Sequence, residues 1–368
     1  MNRSFAVPAT ILVLALAGCS PAVATPSAAP SIAASAVPTL APTPLPTATT
    51  AASASPADSP TASANPALTP GDPWLAFQAD GRAGYGVHFI RPDGTGEFSI
   101  AGVVSGREQL HPDWSPDGTR LVFSVAGDVS RDLWVTDANG TNADHIVICD
   151  TCDQADEPAW SPDGRSIVFH REELVGKVYQ STLEVCDVAT RATRVVLTAA
   201  SDRVVFAPRW SPDGKRLVVE YVHRKGTTAV DDFDGDQIGI VDLTAANPVF
   251  NALTKVAAFG NNPDWSPTGD LIVFSQPANP AKFDAEADLW TMRADGSHLT
   301  RITRFAEQKS SAVMPTFTPD GRRIVFDFAK IAGGDSVMAT VAIDGSGLQS
   351  AVSSGFMAGL HPRFRPTP

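Results

Sequence analysis

Three aspartates at alternate positions form the densest set of metal-ligating side chains in this sequence. Asp232, Asp234 and Asp236 lie in an acidic run at residues 231–236. Their spacing matches the first, third and fifth ligands of a calcium loop, in which carboxylate oxygens surround a hard cation. Gln237 stands where that loop needs a glycine, and no glutamate closes the loop. The pattern therefore predicts either a calcium site or a solvated acidic turn.

The four cysteines divide into one close pair and two isolated residues. Cys149 and Cys152 form a Cys-x-x-Cys sequence, whereas Cys186 and Cys19 stand alone. In an exported protein such a pair is typical of a local disulfide. A redox motif would need a helix after a strand, and a zinc site would need two more ligands. We expect a Cys149–Cys152 disulfide and a buried free thiol at Cys186.

The first residues have the features of an export signal. Arg3 precedes an apolar stretch that is too short to span a bilayer as a stable helix. Leu16-Ala17-Gly18-Cys19 then resembles a bacterial lipobox, in which cleavage before the cysteine is followed by lipidation. We predict a signal peptide at residues 1–18 and a lipidated Cys19 that anchors the protein on the extracytoplasmic face of the membrane, or on the outer membrane of a two-membrane cell. The alternative is an ordinary signal peptide cut at small residues.

Residues 19–72 follow as a segment of biased composition. After the cysteine they are almost wholly Ala, Pro, Ser and Thr. Such a segment has no periodic apolar face, so no core can offset the entropy of ordering it. We predict a disordered, extended linker that lifts the folded domain away from the membrane.

The phrase Pro-x-Trp-Ser-Pro-Asp-Gly recurs along the rest of the chain. Copies follow one another at intervals of roughly 50 residues. They begin at Pro112, Pro158, Pro208, Pro263, Pro315 and Pro362, and the last copy is incomplete. Repetition at this period is typical of a propeller or a solenoid.

Each repeat has the pattern of four short strands, which we call A to D. In the first full repeat they cover residues 112–115, 121–124, 133–136 and 145–148. The A-to-B turn, Ser-Pro-Asp-Gly, is tight because proline presets φ and glycine accepts a positive φ. Four such antiparallel strands make one propeller blade. The aromatic residue before each turn is expected to fill the space between blades.

The incomplete last copy indicates how the ring closes. Residues 361–366 supply a strand A alone, and residues 74–103 supply strands B, C and D without a strand A. We therefore predict an all-β fold, a six-bladed β-propeller at residues 73–368. The C-terminal strand A joins the N-terminal strands B–D in one blade.

These repeats resemble the TolB-type propeller family. The family's phrase is present here in five near-complete copies, followed by an aliphatic-Phe strand, as at residues 167–169, and by a strand that ends in an Asp-Gly turn, as at residues 295–296. The resemblance implies an exported protein that binds other envelope proteins. Ordinary WD40-like repeats share the Ser-Pro-Asp-Gly turn and usually lack the first proline. TolB itself carries a separate N-terminal α/β domain, where this chain has the linker.

The residue before each leading proline is expected to line the mouth of the central channel. These residues are His111, Glu157, Ala207, Asn262, Met314 and His361. Ring closure places His111 and His361 on adjacent blades, and Glu157 is the one further ligand candidate. Some TolB-like propellers are polysaccharide lyases that hold a metal with histidines, so the resemblance adds a metal-dependent lyase as an alternative. Histidines that only cap strand ends are the other interpretation, since a transition-metal site needs three or more ligands.

The B-to-C connections at residues 171–180, 223–237 and 276–288 are long, whereas the A-to-B turns are short. Binding residues usually gather on long loops of a rigid scaffold. We expect an envelope protein, a peptide or a glycan to bind on this face.

Composition and motifs narrow the class of function. The formal net charge of −12 argues against nucleic acid, whose phosphates need Lys and Arg. The sequence has no Gly-x-Ser-x-Gly elbow and no phosphate loop. We predict a monomeric, non-enzymatic binding module that requires no cofactor, with Ca²⁺ as the one ion that its ligand spacing suggests.

Overall fold

The computed structural model describes residues 65, 68–69, 71–81, 84–100, 103–104, 107–128, 130–224, 233–279, 286–330, 336–350 and 357–366. The predicted signal peptide, Cys19 and most of the linker therefore lie outside the described residues. The described part contains six antiparallel sheets of four strands each, which confirms the all-β, six-bladed propeller. Within it, no helix has the length and apolar character needed to cross a membrane.

The strands follow one another blade by blade along the chain. Blade 1 begins with β1 (Leu75–Gly81), β2 (Gly84–Ile90) and β3 (Phe98–Ser99). Blade 2 contains β4 (Gln109–Trp114), β5 (Arg120–Ala126), β6 (Arg131–Asp137) and β7 (Asp144–Val147). Blade 3 contains β8 (Gln154–Trp160), β9 (Ser166–Val175), β10 (Val178–Asp187) and β11 (Thr193–Thr198).

The second half of the ring repeats this order. Blade 4 contains β12 (Arg203–Trp210), β13 (Arg216–Arg224), β14 (Phe233–Asp242) and β15 (Phe250–Ala252). Blade 5 contains β16 (Asn261–Trp265), β17 (Leu271–Pro277), β18 (Ala287–Arg293) and β19 (Thr300–Arg301). A 3-10 turn, Ala306–Gln308, leads to blade 6, which contains β20 (Ser310–Phe317), β21 (Arg323–Lys330), β22 (Val337–Ala342) and β23 (Gln349–Ser350). The last strand is β24 (Met357–Phe364).

The last strand closes the ring as predicted. β24 pairs antiparallel with β1, so blade 1 has the strand order β24-β1-β2-β3. Arg365 continues the closure, since its backbone N–H donates to the Trp74 carbonyl at 2.7 Å. Its Nε donates to the carbonyl of Gly118 in blade 2 at 2.8 Å. Gly118 has a φ of 64°, and a Cβ there would lie 3.0 Å from Arg365 Nε, so the turn needs glycine for both reasons.

The repeated tryptophans connect neighbouring blades. Trp114 Nε1 donates a hydrogen bond to the carbonyl of Arg363 at 3.1 Å, and Trp265 Nε1 donates to the carbonyl of Arg209 at 3.2 Å. Both indoles are about 95 % buried. Each ring therefore fills the space beside the preceding blade and places its polar atom on that blade's backbone.

One predicted loop is wrong because strands occupy it, and the two ends of a second one are also strands. β9 and β10 pair without a break from Ser166 to Asp187, so the segment 171–180 is a long hairpin with a short turn at Gly176 and Lys177. In blade 4, β13 continues through Arg224 and β14 begins at Phe233, and residues 225–232 between them lie outside the described part of the chain. Charged residues in these segments looked like loop residues, but a hairpin that extends beyond its sheet can carry them on solvent-facing positions.

Candidate functional site

One residue in the first strand of every blade has a left-handed backbone. Its φ lies between 46° and 54° although it is not glycine, and a register shift occurs at the same point. These are the residues predicted to line the channel mouth: His111, Glu157, Ala207, Asn262, Met314 and His361. Each is thus part of a β-bulge. Because this conformation costs roughly 1–2 kcal/mol for an ordinary residue, neighbouring contacts must hold it.

Side chains of the preceding blade supply such contacts. Gln78 Oε1 accepts the backbone N–H of His111 at 2.8 Å, and Glu220 Oε2 accepts the backbone N–H of Asn262 at 2.9 Å. Both acceptors follow the buried run of the second strand, at a position that is polar in all six blades: Gln78, Ser124, His170, Glu220, Ser275 and Asp327. These bonds satisfy amides that the bulges remove from the strand ladder.

His111 lies in a buried cluster of charged groups. Its Nδ1 is 2.6 Å from Asp156 Oδ1, and Arg131 forms an ion pair with the other oxygen of Asp156. Burial acts to raise the pKa of Asp156, but His111 and Arg131 hold that pKa well below its usual range. The ring of His361 meets the ring of His111 edge to face, with 4.4 Å between centroids. Burial, and then His111, lowers the pKa of His361 well below its ordinary value, so this imidazole is neutral at neutral pH.

Glu157 lies on the same rim. Its Oε2 accepts the backbone N–H of Ala207 in the next blade at 2.5 Å. Burial raises the pKa of Glu157, with His111 acting in the opposite direction. The structure thus brings His111, His361 and Glu157 into one polar cluster. It adds Asp156, the residue before Glu157, which sequence reasoning missed.

A second ring of side chains lies two residues further along each first strand, at the free position of Pro-x-Trp. Its members are Asp113, Ala159, Arg209, Asp264, Thr316 and Arg363. Arg363 Nε is 3.8 Å from Asp113 Oδ1. Burial, and then Arg209, lowers the pKa of Arg363 to about 10. Burial also raises the pKa of Asp113. Two arginines and two aspartates therefore interact across the channel, and the alternation of their charges along the repeats was the signal that sequence reasoning overlooked.

The aspartates of the predicted calcium loop occupy different environments. Asp232 lies outside the described residues. Asp234 and Asp236 belong to β14, where Asp234 is exposed and Asp236 is only 4 % exposed. The ladder between β13 and β14 shifts register beside Asp234, which explains why two residues at alternate positions differ in burial. A calcium site on this loop stays a prediction.

The cysteines of the folded part differ in their bonding. Cys149 and Cys152 are joined by a disulfide, with Cα atoms 5.1 Å apart. The Cys149 backbone N–H donates to Asp132 Oδ1 at 2.8 Å. Cys186 is buried and free, and burial raises the pKa of its thiol to about 11. It is therefore a protonated thiol with little nucleophilic character.

Residues 94–276 match the sequence profile of the TolB beta propeller domain. No curated protein sequence matches the chain. Among solved structures, TolB from Acinetobacter baumannii is similar at 18 % identity and a TM-score of 0.61, over 81 % of this chain and 68 % of that one. A TolB candidate from Agrobacterium tumefaciens is similar at 19 % identity and a TM-score of 0.56, over 78 % of this chain and 91 % of that one.

An enzyme also shares this fold. An oligogalacturonate lyase in complex with manganese is similar at 16 % identity and a TM-score of 0.50, over 77 % of this chain and 74 % of that one. At such identities the similarities show a common fold. The repeated phrase, the profile match over residues 94–276 and the closed ring of six blades show that this chain carries a TolB-like six-bladed β-propeller.

Proposed function

We propose that this protein is an exported, lipid-anchored binding module that takes an envelope protein or a peptide on the face around the channel mouth. Its family likeness supports an exported binding role. The predicted export signal and Cys19 support the anchor. The choice of face rests on the two long hairpins of blades 3 and 4.

Both hairpins continue from the ladder positions that pair with the residues before Glu157 and Ala207, and an ion pair connects them. Arg224 at the end of β13 forms a buried ion pair with Glu172 of β9. Its guanidinium also lies over the ring of Tyr179, 5.5 Å from the centroid. Breaking a buried pair of this kind leaves an unpaired charge, which costs about 3–5 kcal/mol. The pair therefore holds two extended hairpins in one fixed arrangement.

The tip of the blade 3 hairpin presents an apolar surface to solvent. Leu174 and Val175 are 48 % and 53 % exposed, and a cavity beside them is lined by Val175, Val178 and Tyr179. The Leu174 backbone N–H is held by Asp153 Oδ2 at 3.1 Å. Rigid apolar groups near a polar rim are typical of protein interfaces. Aliphatic side chains offer little to a glycan, so they favour a protein or peptide partner.

Site-specific photo-crosslinking tests this placement. A crosslinker at Leu174 is expected to capture a partner in the native cells, which is then purified and titrated against the full-length protein. The matched control is a crosslinker at Lys215, in the A-to-B turn on the opposite face of the ring. Capture at Lys215 with none at Leu174 would overturn the placement, and capture of cell-wall glycan alone would change the partner class.

The anchor has a separate test. A Cys19→Ser change is expected to move the protein from the membrane fraction to the soluble fraction. Cys186→Ser serves as the matched control, since that thiol is buried within blade 3. An unchanged membrane fraction for the Cys19 variant would contradict lipid anchoring.

The metal-dependent lyase is the second candidate, favoured by the contact between His111 and His361. The donor set does not fit such a centre, because His111 Nδ1 is already paired with Asp156 and a transition metal needs three or more ligands. No cluster of three metal-ligating side chains is present in the described parts of the chain. Bound manganese that disappears on His111→Ala or His361→Ala would restore this candidate.

A further inference from the structure

Two carboxyl groups of blade 4 face each other without a basic partner. Glu220 lies on β13 and Asp236 on the neighbouring strand β14, where Asp236 pairs with Val222 in the ladder. Glu220 and Asp236 are therefore diagonal neighbours on the same side of the sheet. Their carboxyl groups share a hydrogen bond, so one of them carries the proton that a bound cation would replace. Asp236 is 4 % exposed, and its Oδ1 has no hydrogen-bond partner.

The basic groups nearest in sequence are engaged elsewhere. Arg224 is paired with Glu172, and His223 Nε2 lies 2.9 Å from Gln237 Oε1. Among the described residues, neither Glu220 nor Asp236 takes part in an ion pair. A buried carboxylate without a counter-charge is strongly unfavourable, so a proton or a cation must neutralise the pair.

Electrostatics support the same conclusion. Burial raises the pKa of Glu220 to about 7. Burial, followed by the charge of Glu220, raises the pKa of Asp236 well above its usual range. Glu157, on the rim of blade 3, adds further negative potential at Glu220.

We propose that Glu220 and Asp236 bind a hydrated divalent cation, Mg²⁺ or Ca²⁺, at the channel rim between blades 4 and 5. Glu220 is held in position because its Oε2 accepts the Asn262 N–H at 2.9 Å. The described residues provide no cage of three or more acidic, cysteine or histidine ligands. Water completes the coordination shell, as it does for Mg²⁺ held by one or two carboxylates.

This site differs from the predicted calcium loop. It uses Asp236 but needs neither Asp232 nor the exposed Asp234, and it recruits Glu220 from another strand. It is also independent of partner binding, so failure of one proposal leaves the other standing. The cation joins two strands beside the left-handed residue Asn262, and it therefore stabilises the rim between blades 4 and 5.

Calorimetric titration of the purified full-length protein with MgCl₂, and separately with CaCl₂, tests the proposal after treatment with a chelator. We expect one saturable site and a melting temperature that rises with cation concentration. Glu220→Gln and Asp236→Asn each remove one of two carboxylates, so each weakens binding at least about tenfold. Both changes relieve the repulsion between the pair, so these variants remain folded without the cation.

Asp234→Asn is the matched control, because it removes a charge from the same strand without touching the pair. It is expected to bind the cation as tightly as the native chain. No saturable binding of either cation by the native chain overturns the proposal, as does full binding by a Glu220→Gln, Asp236→Asn double variant. Loss of binding in the Asp234→Asn variant would assign the cation to the loop instead.

Discussion

Trp114 donates its indole N–H to the carbonyl of Arg363 at 3.1 Å, across the junction where the two ends of the propeller meet. Trp160 occupies the same position in the next blade, but its indole N–H has no hydrogen-bond partner within the described structure. The two rings are equally buried, at 4 % and 5 % exposure. They therefore form a natural pair for measuring what this bond contributes to ring closure.

Trp114→Phe is expected to destabilise the protein more than Trp160→Phe. Both changes leave a similar cavity, but only the first removes a donor from a buried carbonyl, which costs about 1–3 kcal/mol. Urea unfolding of both variants gives the comparison. Equal losses of unfolding free energy would mean that the bond to Arg363 contributes nothing to closure.

The charge ring within the channel predicts a strong effect at Arg363. Replacing Arg363 with Met removes one of the two arginines that offset the charge of Asp113 and leaves only Arg209, which is expected to cost up to about 3 kcal/mol. Adding Asp113→Asn removes that charge, and the amide oxygen can still accept the Trp160 N–H that Asp113 Oδ2 accepts at 2.7 Å. The double variant should therefore recover part of the loss, as measured by denaturant unfolding. A double variant less stable than Arg363→Met would show that the two charges do not interact.

The buried His170 is expected to make the folded protein less stable in acid. It is fully buried, its ring nitrogens have no hydrogen-bond partner in the described structure, and burial lowers its pKa to about 3. The unfolded chain takes up a proton near pH 6.5, so the stability that neutral His170 contributes declines between about pH 6.5 and pH 3, by up to about 1.4 kcal/mol per pH unit. His170→Leu should flatten this part of the pH profile. Parallel profiles for the native protein and the variant would contradict this assignment.

The buried Asp327 is expected to give the unfolding free energy the opposite dependence on pH. It lies in β21, accepts a hydrogen bond from Ser336, and has a pKa that burial raises to about 7. The protonated form is favoured in the fold, so stability is lost as pH rises from about 4 to about 7. Asp327→Asn is therefore expected to gain stability relative to the native chain as pH rises.

Asp320→Asn is the control for that experiment. The Thr318 hydroxyl and the Arg322 backbone N–H lower the pKa of Asp320 in its exposed turn, so its contribution is lost as pH falls. Because that loss falls below about pH 4, thermal melts between about pH 4 and pH 7 should show a growing gain for Asp327→Asn and a constant difference for Asp320→Asn, each relative to the native chain. A constant difference for Asp327→Asn as well would mean that Asp327 is ionised in the fold throughout this range.

The repeats carried enough information to predict the architecture. Turn residues such as Gly118 and the periodic aromatics specify local geometry, and an incomplete last copy could be completed only by the N-terminal strands. The six residues assigned to the mouth were selected from the same repeats, because each one stands directly before a leading proline. Their left-handed backbone could not be predicted in this way, because Glu157, Ala207 and Met314 do not favour a positive φ, and the conformation depends on acceptors such as Gln78 in another blade.

The chemistry of the channel was harder to predict because it arises from contacts between blades. Asp156 appeared to be an ordinary strand residue, yet Arg131 and His111 come from blade 2 to meet it. Similarly, Asp236 was grouped with its sequence neighbours, whereas the regular ladder of β13 and β14 places it beside Glu220 and a register shift separates it from Asp234. Local spacing predicts ligands only when the chain between them has the assumed conformation.

The affinity of the captured partner tests the mouth-face proposal most directly. We predict that Leu174→Ser combined with Val175→Ser weakens binding at least about tenfold, equivalent to ~1.4 kcal/mol, because both side chains lose apolar contact area. The opposite-face variant Lys215→Ser should bind as tightly as the native protein. Unchanged affinity for the hairpin variant, or a loss confined to Lys215→Ser, would contradict binding at this face.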